Sequence, residues 1–275
     1  MTHSGPLSYR ARVWAALLVV GEPCVAAGPS SLWLGNPKRR RPPKVVHVGV
    51  LDGRRVTRRK GIVIHHYADL GEERVSWGSS PPRIRAEQAA LDNAHRARTP
   101  EAIVAALAEP VSDGLTTVSH LRQSLSRRPR MRKRALVEAI LSDVQIGVRS
   151  PLEWHDLQNE RRHGITGGQR QVRYRTKDNG SVVIDVVYSG EGLMREVVKE
   201  LDGELGHAAA PDVLRDAGRD NESEERNQSH LRYGWPAIVG TPCESMAQQV
   251  RVMRLQGWQG TSTPCGPGCP VPRCP

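Results

Sequence analysis

A hairpin signal in the second half of the chain constrains its fold most. Residues 169–175 and 181–188 both have the composition of strands, and the triplet Asp178-Asn179-Gly180 between them is a typical tight-turn sequence. A third strand is predicted at residues 193–201. The sequence therefore predicts three consecutive strands, and we expect the second and third to pair side by side.

Acidic residues interrupt the second and third of these strands. Asp185 lies within an apolar run, and Glu200 and Asp202 lie at the end of the third strand. Because successive side chains of a strand point to opposite faces, Glu200 and Asp202 share one face, and strand pairing could place Asp185 beside them. Two such charges about 4 Å apart repel by about 4 kcal/mol at an effective dielectric constant near 20. A divalent cation such as Mg²⁺ would turn this repulsion into an attraction. The alternative is a surface hairpin with solvated carboxylates.

Charge divides the chain into two halves. Residues 1–150 hold 25 Lys and Arg against 12 Asp and Glu, whereas residues 151–275 hold 15 against 17. A basic half joined to an acid-bearing half is typical of a protein that docks on DNA phosphates with one part and acts with the other. The alternative is that the arginines fill solvated faces. The absence of Phe, with six Trp and five Tyr, argues against recognition by base stacking.

An apolar stretch near the N-terminus resembles a short signal peptide. Residues 13–20 follow two arginines and precede small residues, but Gly21-Glu22-Pro23 breaks the segment before a plausible cleavage site. Eight apolar residues are too few to span a bilayer. We therefore expect this segment to be a helix of a cytoplasmic protein, with no membrane partner.

The first 149 residues are predicted to combine a basic β-hairpin with helices. Apolar stretches at 45–51 and 62–66 flank a turn that carries Arg58 and Arg59, and such loops are ready phosphate contacts. Helical patterns are predicted at 84–94, 100–106, 117–126 and 135–148. Residues 117–126 could form half of a helix-turn-helix, and the arginine run behind them could equally be a solvated connector.

A second, α/β unit is predicted to begin at Ser150. Ser150 and Glu153 have the spacing of a capping box, with Pro151 at the first helical position, and the helix should run to about His163. The three strands follow this helix. After them come a polar helix from Pro211, a short strand at 231–235 and a helix at 242–256, which complete a domain over 150–260 ahead of a Cys-, Pro- and Gly-rich tail at 261–275.

The order helix, three strands, helix, strand, helix combines with a set of spaced polar residues. These are Ser150-x-x-Glu153, Asp185, Glu200-Leu201-Asp202-Gly203, His207 and Arg215-Asp216-x-x-Arg219-Asp220-Asn221. In both respects the chain resembles the restriction-endonuclease (PD-(D/E)XK) fold, and in particular the very-short-patch-repair (Vsr)-like endonuclease domains. The first 149 residues resemble the region that precedes such domains in AbiEi-type antitoxins of type IV toxin–antitoxin systems. The chain would then start inside or after the winged helix with which those proteins often begin.

The resemblance implies metal-dependent hydrolysis of a DNA phosphodiester. Asp185, Glu200 and Asp202 would hold Mg²⁺, and Glu153 would be an outer ligand or would orient water. His207 would serve as a general base or as the proton donor to the leaving group. For His207 a structural role is the alternative.

Two basic residues near the end of the family pattern are implied to touch DNA. Arg215 and Arg219 would contact phosphate, although charges that alternate on a helix are usually solvated. The alternative function is that of a non-catalytic, DNA-binding regulator of the antitoxin kind.

Two positions depart from the family pattern. The fold's usual signature ends in Glu-x-Lys, whereas the third position here is Asp202. Lys199 lies where a buried central strand should be apolar. Either the strand starts later, at Val197, or the protein has lost activity.

Four of the five cysteines lie in the last 33 positions. This distribution does not match the disulfide framework of a secreted protein. A zinc site is predicted as one alternative, with free thiols as the other, because the spacing is irregular. The candidate ligands are Cys243, Cys265, Cys269 and Cys274.

Overall fold

The described part of the chain contains two sheets, each with its own helices. The computed structural model describes residues 5–38, 41–175, 180–202 and 227–274, and it divides into two units at residues 145 and 146. Both sheets are mixed, which confirms the predicted α/β class.

The first unit contains a five-stranded sheet and six helices among its described residues. Its elements are α1 (Tyr9–Val20), β1 (Cys24–Ala26), α2 (Gly28–Gly35), β2 (Val46–Leu51), β3 (Ile62–Tyr67), β4 (Val75–Ser76), β5 (Arg83–Ile84), α3 (Ala86–Arg96), α4 (Pro100–Ser112), α5 (Val118–Ser126) and α6 (Arg134–Gln145). The strand order is β3-β2-β1-β5-β4. The helix predicted near the N-terminus and the four predicted helices of this unit are confirmed.

The predicted basic hairpin is wrong, because β2 and β3 pair in parallel from Val46 with Ile62 to Leu51 with Tyr67. A ten-residue connector can extend about 33 Å, so it can return along a strand of about 20 Å. Arg54 holds this connector in place. Its guanidinium donates to the carbonyl oxygens of Val20 at 2.6 Å and Pro23 at 2.8 Å.

The second unit follows the predicted order closely. Its described elements are α7 (Pro151–Arg162), β6 (Gln169–Arg175), β7 (Ser181–Tyr188), β8 (Glu196–Leu201), β9 (Gln228–Tyr233), a π-helical turn at 236–240 and α8 (Pro242–Leu255). β6, β7 and β8 are antiparallel neighbours, and β9 lies parallel to β8. The turn predicted at 178–180 falls largely outside the described residues, and the helix predicted from Pro211 lies entirely outside them.

One apolar core of this unit lies between the sheet and helices α7 and α8. Val186 and Val197 of the sheet pack there with Leu152 of α7 and Val250 of α8. Val271 is buried in the same core, so the tail predicted at 261–275 is part of the folded unit.

Candidate functional site

The N-terminal end of α7 buries an acidic side chain. Oγ of Ser150 accepts a hydrogen bond from the N–H of Glu153 at 3.2 Å and donates to Oε1 of Glu153 at 3.0 Å. Oε2 of Glu153 accepts from the N–H of Arg149 at 3.0 Å, so the returning bond of the predicted capping box reaches Arg149 rather than Ser150. These bonds fix a carboxylate whose residue is only 5 % exposed.

The pairing of β6 with β7 is interrupted beside this helix end. Gln171 has φ 56°, a left-handed conformation that costs a non-glycine residue about 1–2 kcal/mol. Opposite it, Asp185 breaks the side-chain alternation of β7, since Ile184 and Val187 belong to one apolar cluster although they are three residues apart. The interruption turns both polar side chains toward Glu153.

One amide joins the two carboxylates. Nε2 of Gln171 donates to Oε2 of Glu153 at 3.2 Å and to Oδ1 of Asp185 at 3.3 Å. Oδ2 of Asp185 accepts from the N–H of Leu201 at 2.7 Å. Glu153, Gln171 and Asp185 therefore form a hydrogen-bonded group at the C-terminal end of β8, and we call this group the acid site.

Electrostatics at the acid site disfavour two negative charges. Burial, followed by the charge of Asp185, raises the pKa of Glu153 to about 7. Burial and the charge of Glu200 also raise the pKa of Asp185, against the opposing effect of the Leu201 N–H. A bound cation would relieve both effects.

Glu200 lies beside the acid site but has basic neighbours. Its Oε2 is 3.2 Å from Nη2 of Arg232 and 3.6 Å from Nε2 of His230. Asp202 is exposed, and its backbone N–H donates to the carbonyl of Tyr233 at 3.0 Å. Among the residues that the structure describes, no three carboxylates bring one oxygen each within 4.8 Å of one another.

A buried ionic network lies on the core side of the same sheet. Nζ of Lys199 is 2.9 Å from Oδ1 of Asp156, contacts Oε1 of Glu160, and is 2.9 Å from Oε1 of Gln249. Arg170 bonds the same two carboxylates, at 3.3 Å to Asp156 and 2.7 Å to Glu160. The two negative charges of the carboxylates are thus balanced by the two positive charges of Lys199 and Arg170. Although burial opposes it, the charges of Lys199 and Arg170 lower the pKa of Glu160.

This network accounts for a charged residue inside a central strand, and the later strand start predicted at Val197 is wrong by one residue. β8 is a central strand that starts at Glu196, and Lys199 within it is fully buried and paired. Arg170 directly precedes Gln171, so the network also anchors the strained residue of the acid site. Glu153, Asp156 and Glu160 are spaced as one helix face, and this spacing could have revealed the buried acidic face of α7.

A thiol and imidazole cluster is the second candidate site. The Sγ atoms of Cys243 and Cys265 lie 3.6 Å apart, and Sγ of Cys269 lies 3.5 Å from Nε2 of His163. One ligand atom from each of the four residues lies within 4.8 Å of all the others. The cluster could therefore hold a metal ion. Cys274 is not part of this cluster, and its side chain packs against the apolar core of the unit.

The buried ring of His163 is oriented for ligation. Its Nδ1 lies 2.8 Å from the carbonyl oxygen of Asn159, which can only accept, so Nδ1 carries the proton and Nε2 has a free lone pair. Although burial opposes it, backbone hydrogen bonds from Val271 and Cys265 lower the pKa of the Cys269 thiol to about 6. Thiolate is the form that binds metal.

No family model, curated protein or solved structure matches the chain. Its function is therefore inferred from the arrangement of its own residues. None of the helices in the described part of the chain is long and apolar enough to cross a lipid bilayer.

Five predicted site residues have not been placed in the structure so far. His207, Arg215 and Arg219 fall outside the described residues. Arg58 and Arg59 are exposed in the connector between β2 and β3 of the first unit. Arg59 lines a cleft of about 530 Å³ together with Arg12, Lys44 and Lys60.

Proposed function

We propose that residues 146–275 form a metal-dependent endonuclease that hydrolyses phosphodiester bonds of DNA. The supporting observation is the acid site, where Glu153 is buried, Asp185 is half-buried, one amide bridges the two carboxylates, and their charges repel each other. Mg²⁺ is commonly bound through one or two carboxylates, with water and substrate phosphates as the other ligands. Asp185 with Glu153 or Glu200 would supply such oxygen ligands without the exposed Asp202.

Each carboxylate of the acid site would have a separate role in the reaction. When bound, Mg²⁺ would supply charge stabilisation at the phosphate and a more acidic water. Asp185, whose Oδ2 is fixed by Leu201, would be the main ligand. Glu153, which the amide of Gln171 holds beside Asp185, would accept a proton from the attacking water, in place of the family's missing lysine.

DNA is the substrate that the charge distribution favours. The first half carries the excess of Lys and Arg, and four basic residues of the first unit, Arg12, Lys44, Arg59 and Lys60, line one cleft. Contacts of this kind position a nucleic acid through its phosphates without reading its sequence.

Cleavage assays with the full chain test the proposal. End-labelled duplex, mismatched and single-stranded DNA would be incubated with Mg²⁺ and wild type, Asp185→Asn or Glu153→Gln. Asp52→Asn is the matched control, since Asp52 is an exposed carboxylate of the first unit. We expect cleavage by wild type and the control, and loss of cleavage in both site variants.

A non-catalytic, DNA-binding regulator is the second candidate. The pairing of Glu200 with Arg232 and His230 favours it, because it gives one implied metal ligand other partners. This function predicts duplex binding with a steep salt dependence and no metal requirement. Binding that survives Asp185→Asn, with no cleavage of any DNA by wild type, would favour it over the endonuclease.

We also propose that the cluster of His163, Cys243, Cys265 and Cys269 binds zinc. A tetrahedral ion with Zn–S of about 2.3 Å and Zn–N of about 2.0 Å separates its ligand atoms by about 3.5–3.8 Å. The separations of 3.6 Å and 3.5 Å match this geometry. Four protein ligands leave no open position, as in structural zinc sites.

Metal analysis of chain purified without chelator tests the zinc proposal. We expect about one zinc per chain, its loss in Cys265→Ser, and its retention in Cys274→Ser. The two variants are matched, because both cysteines belong to the same tail. Zinc that is absent from wild type, or that is lost only in Cys274→Ser, would contradict the proposed ligand set.

A further inference from the structure

Three aromatic rings meet on the surface of the second unit. Trp154 and His155 lie on α7, and Trp235 follows β9. The ring centroids of Trp154 and His155 are 5.1 Å apart, and those of His155 and Trp235 are 5.7 Å apart, both pairs edge to face. The scarcity of aromatic residues argued against recognition by base stacking, but these three rings lie in one place.

The aromatic cluster lies at the same end of the sheet as the acid site. Trp154 directly follows Glu153 at the start of α7. Trp235 is two residues beyond Tyr233, which pairs with Leu201 of β8 and whose carbonyl accepts the N–H of Asp202. The rings and the carboxylates therefore come from the same helix start and from neighbouring strand ends.

The cluster is open to a ligand. Trp235 is 36 % exposed, and Trp154 and His155 are half-buried. Proteins hold unpaired bases on accessible aromatic side chains, because every base has an apolar face that can stack on a ring. In an intact duplex those faces are covered by neighbouring base pairs.

We infer that Trp154, His155 and Trp235 form a stacking platform for an unpaired base next to the phosphodiester held at the acid site. The substrate class is then DNA with single-stranded or unpaired nucleotides at the cleavage position, rather than fully paired duplex. This inference rests on the proposed endonuclease function, which it makes more specific.

Binding experiments test the platform separately from cleavage. The full-length chain, without added Mg²⁺, would be titrated with a fluorescein-labelled single strand and with the corresponding duplex, and the Kd followed by anisotropy. A second single strand carrying 2-aminopurine would report stacking through fluorescence quenching. Trp77→Ala is the matched control, because Trp77 is an exposed tryptophan of the first unit.

We expect Trp235→Ala to weaken single-strand binding by about tenfold, to change duplex binding less than threefold, and to abolish the 2-aminopurine quenching. Trp235→Phe keeps an aromatic face and should retain most of the affinity and quenching, which also guards against a folding defect in the alanine variant. Unchanged single-strand affinity and quenching in Trp235→Ala, or equal losses in Trp77→Ala, would overturn the inference.

The two proposals fail in different ways. Cleavage could require Asp185 but proceed equally on duplex and single strand, and equally in Trp235→Ala. This result would contradict the platform and support the endonuclease. Quenching that depends on Trp235, with no cleavage of any DNA, would remove the endonuclease and leave a site that binds unpaired bases.

Discussion

Replacement of Lys199 by methionine should strongly destabilise the second unit. Lys199 is fully buried, and its Nζ bonds Asp156 and Glu160 as well as the side chains of Gln249 and Tyr188. Lys199→Met keeps the length of the side chain but leaves two buried carboxylates with Arg170 as their shared cation. Removing one partner of a buried ion pair costs about 3–5 kcal/mol, and the repulsion between two carboxylates adjoining one site is of similar size.

A compensating variant separates charge imbalance from lost packing. Lys199→Met combined with Glu160→Gln leaves one carboxylate, Asp156, opposite one guanidinium, Arg170. We expect this double variant to recover at least about 2 kcal/mol relative to the single variant, because the uncompensated charge is gone. Lys60→Met, at an exposed position of the first unit, should change stability by less than about 0.5 kcal/mol.

Urea unfolding at pH 7, followed by tryptophan fluorescence, would measure these differences. Because a chain with two units need not unfold in one step, hydrogen exchange at the amides of β7 and β8 would assign the transition to the second unit. A loss below about 1 kcal/mol in Lys199→Met, or a double variant no more stable than the single one, would refute this account of the network.

Three further predictions concern the two candidate sites. The pKa of Glu153 in the folded state is raised from 4.5 to about 7, so wild type should lose stability as pH rises across that window. Glu153→Gln should not show this loss. Urea unfolding should find the variant about 1–3 kcal/mol more stable than wild type at pH 8 but not at pH 5. Mg²⁺ at tenfold its Kd should stabilise wild type by about 1.4 kcal/mol and raise its Tm by a few degrees, with no shift in Asp185→Asn; equal shifts would place the ion elsewhere. Removal of metal by a zinc chelator should lower the Tm of wild type and of Cys274→Ser alike. A Tm that the chelator leaves unchanged would exclude a stabilising metal.

Strong local patterns predicted much of the second unit. The bounds predicted for β6 and β7 agree with the structure, because turn-forming residues separate the two strand-like segments. The start of α7 followed from its N-cap serine and proline. These features depend on neighbours in sequence, which is why the sequence alone reveals them.

The first sheet shows where such patterns fail. β1, β4 and β5 contain three, two and two residues, too few for any period to be visible. The direction of β3 relative to β2 depends on the path of the connector between them, in which Arg54 binds distant carbonyl groups. Neither the short strands nor the direction of β3 can be predicted from the local composition.

The candidate sites needed contacts between distant residues. Gln171 joins the acid site only because β6 adopts a left-handed residue opposite Asp185. His163, and not Cys274, completes the thiol cluster, because the end of α7 lies beside the C-terminal tail. Lys199 looked misplaced in an apolar strand until its two acidic partners on α7 were known.

The most direct test of the central claim is the single-turnover rate of DNA cleavage with Mg²⁺ by wild type and by Asp185→Asn. The account predicts measurable cleavage by wild type, no cleavage without Mg²⁺, and a rate at least about 100-fold lower in the variant, since Asp185 is the main oxygen ligand. Asp52→Asn should cleave at the wild-type rate. Equal rates in wild type and Asp185→Asn would contradict the assignment of the acid site as a metal-dependent nuclease centre.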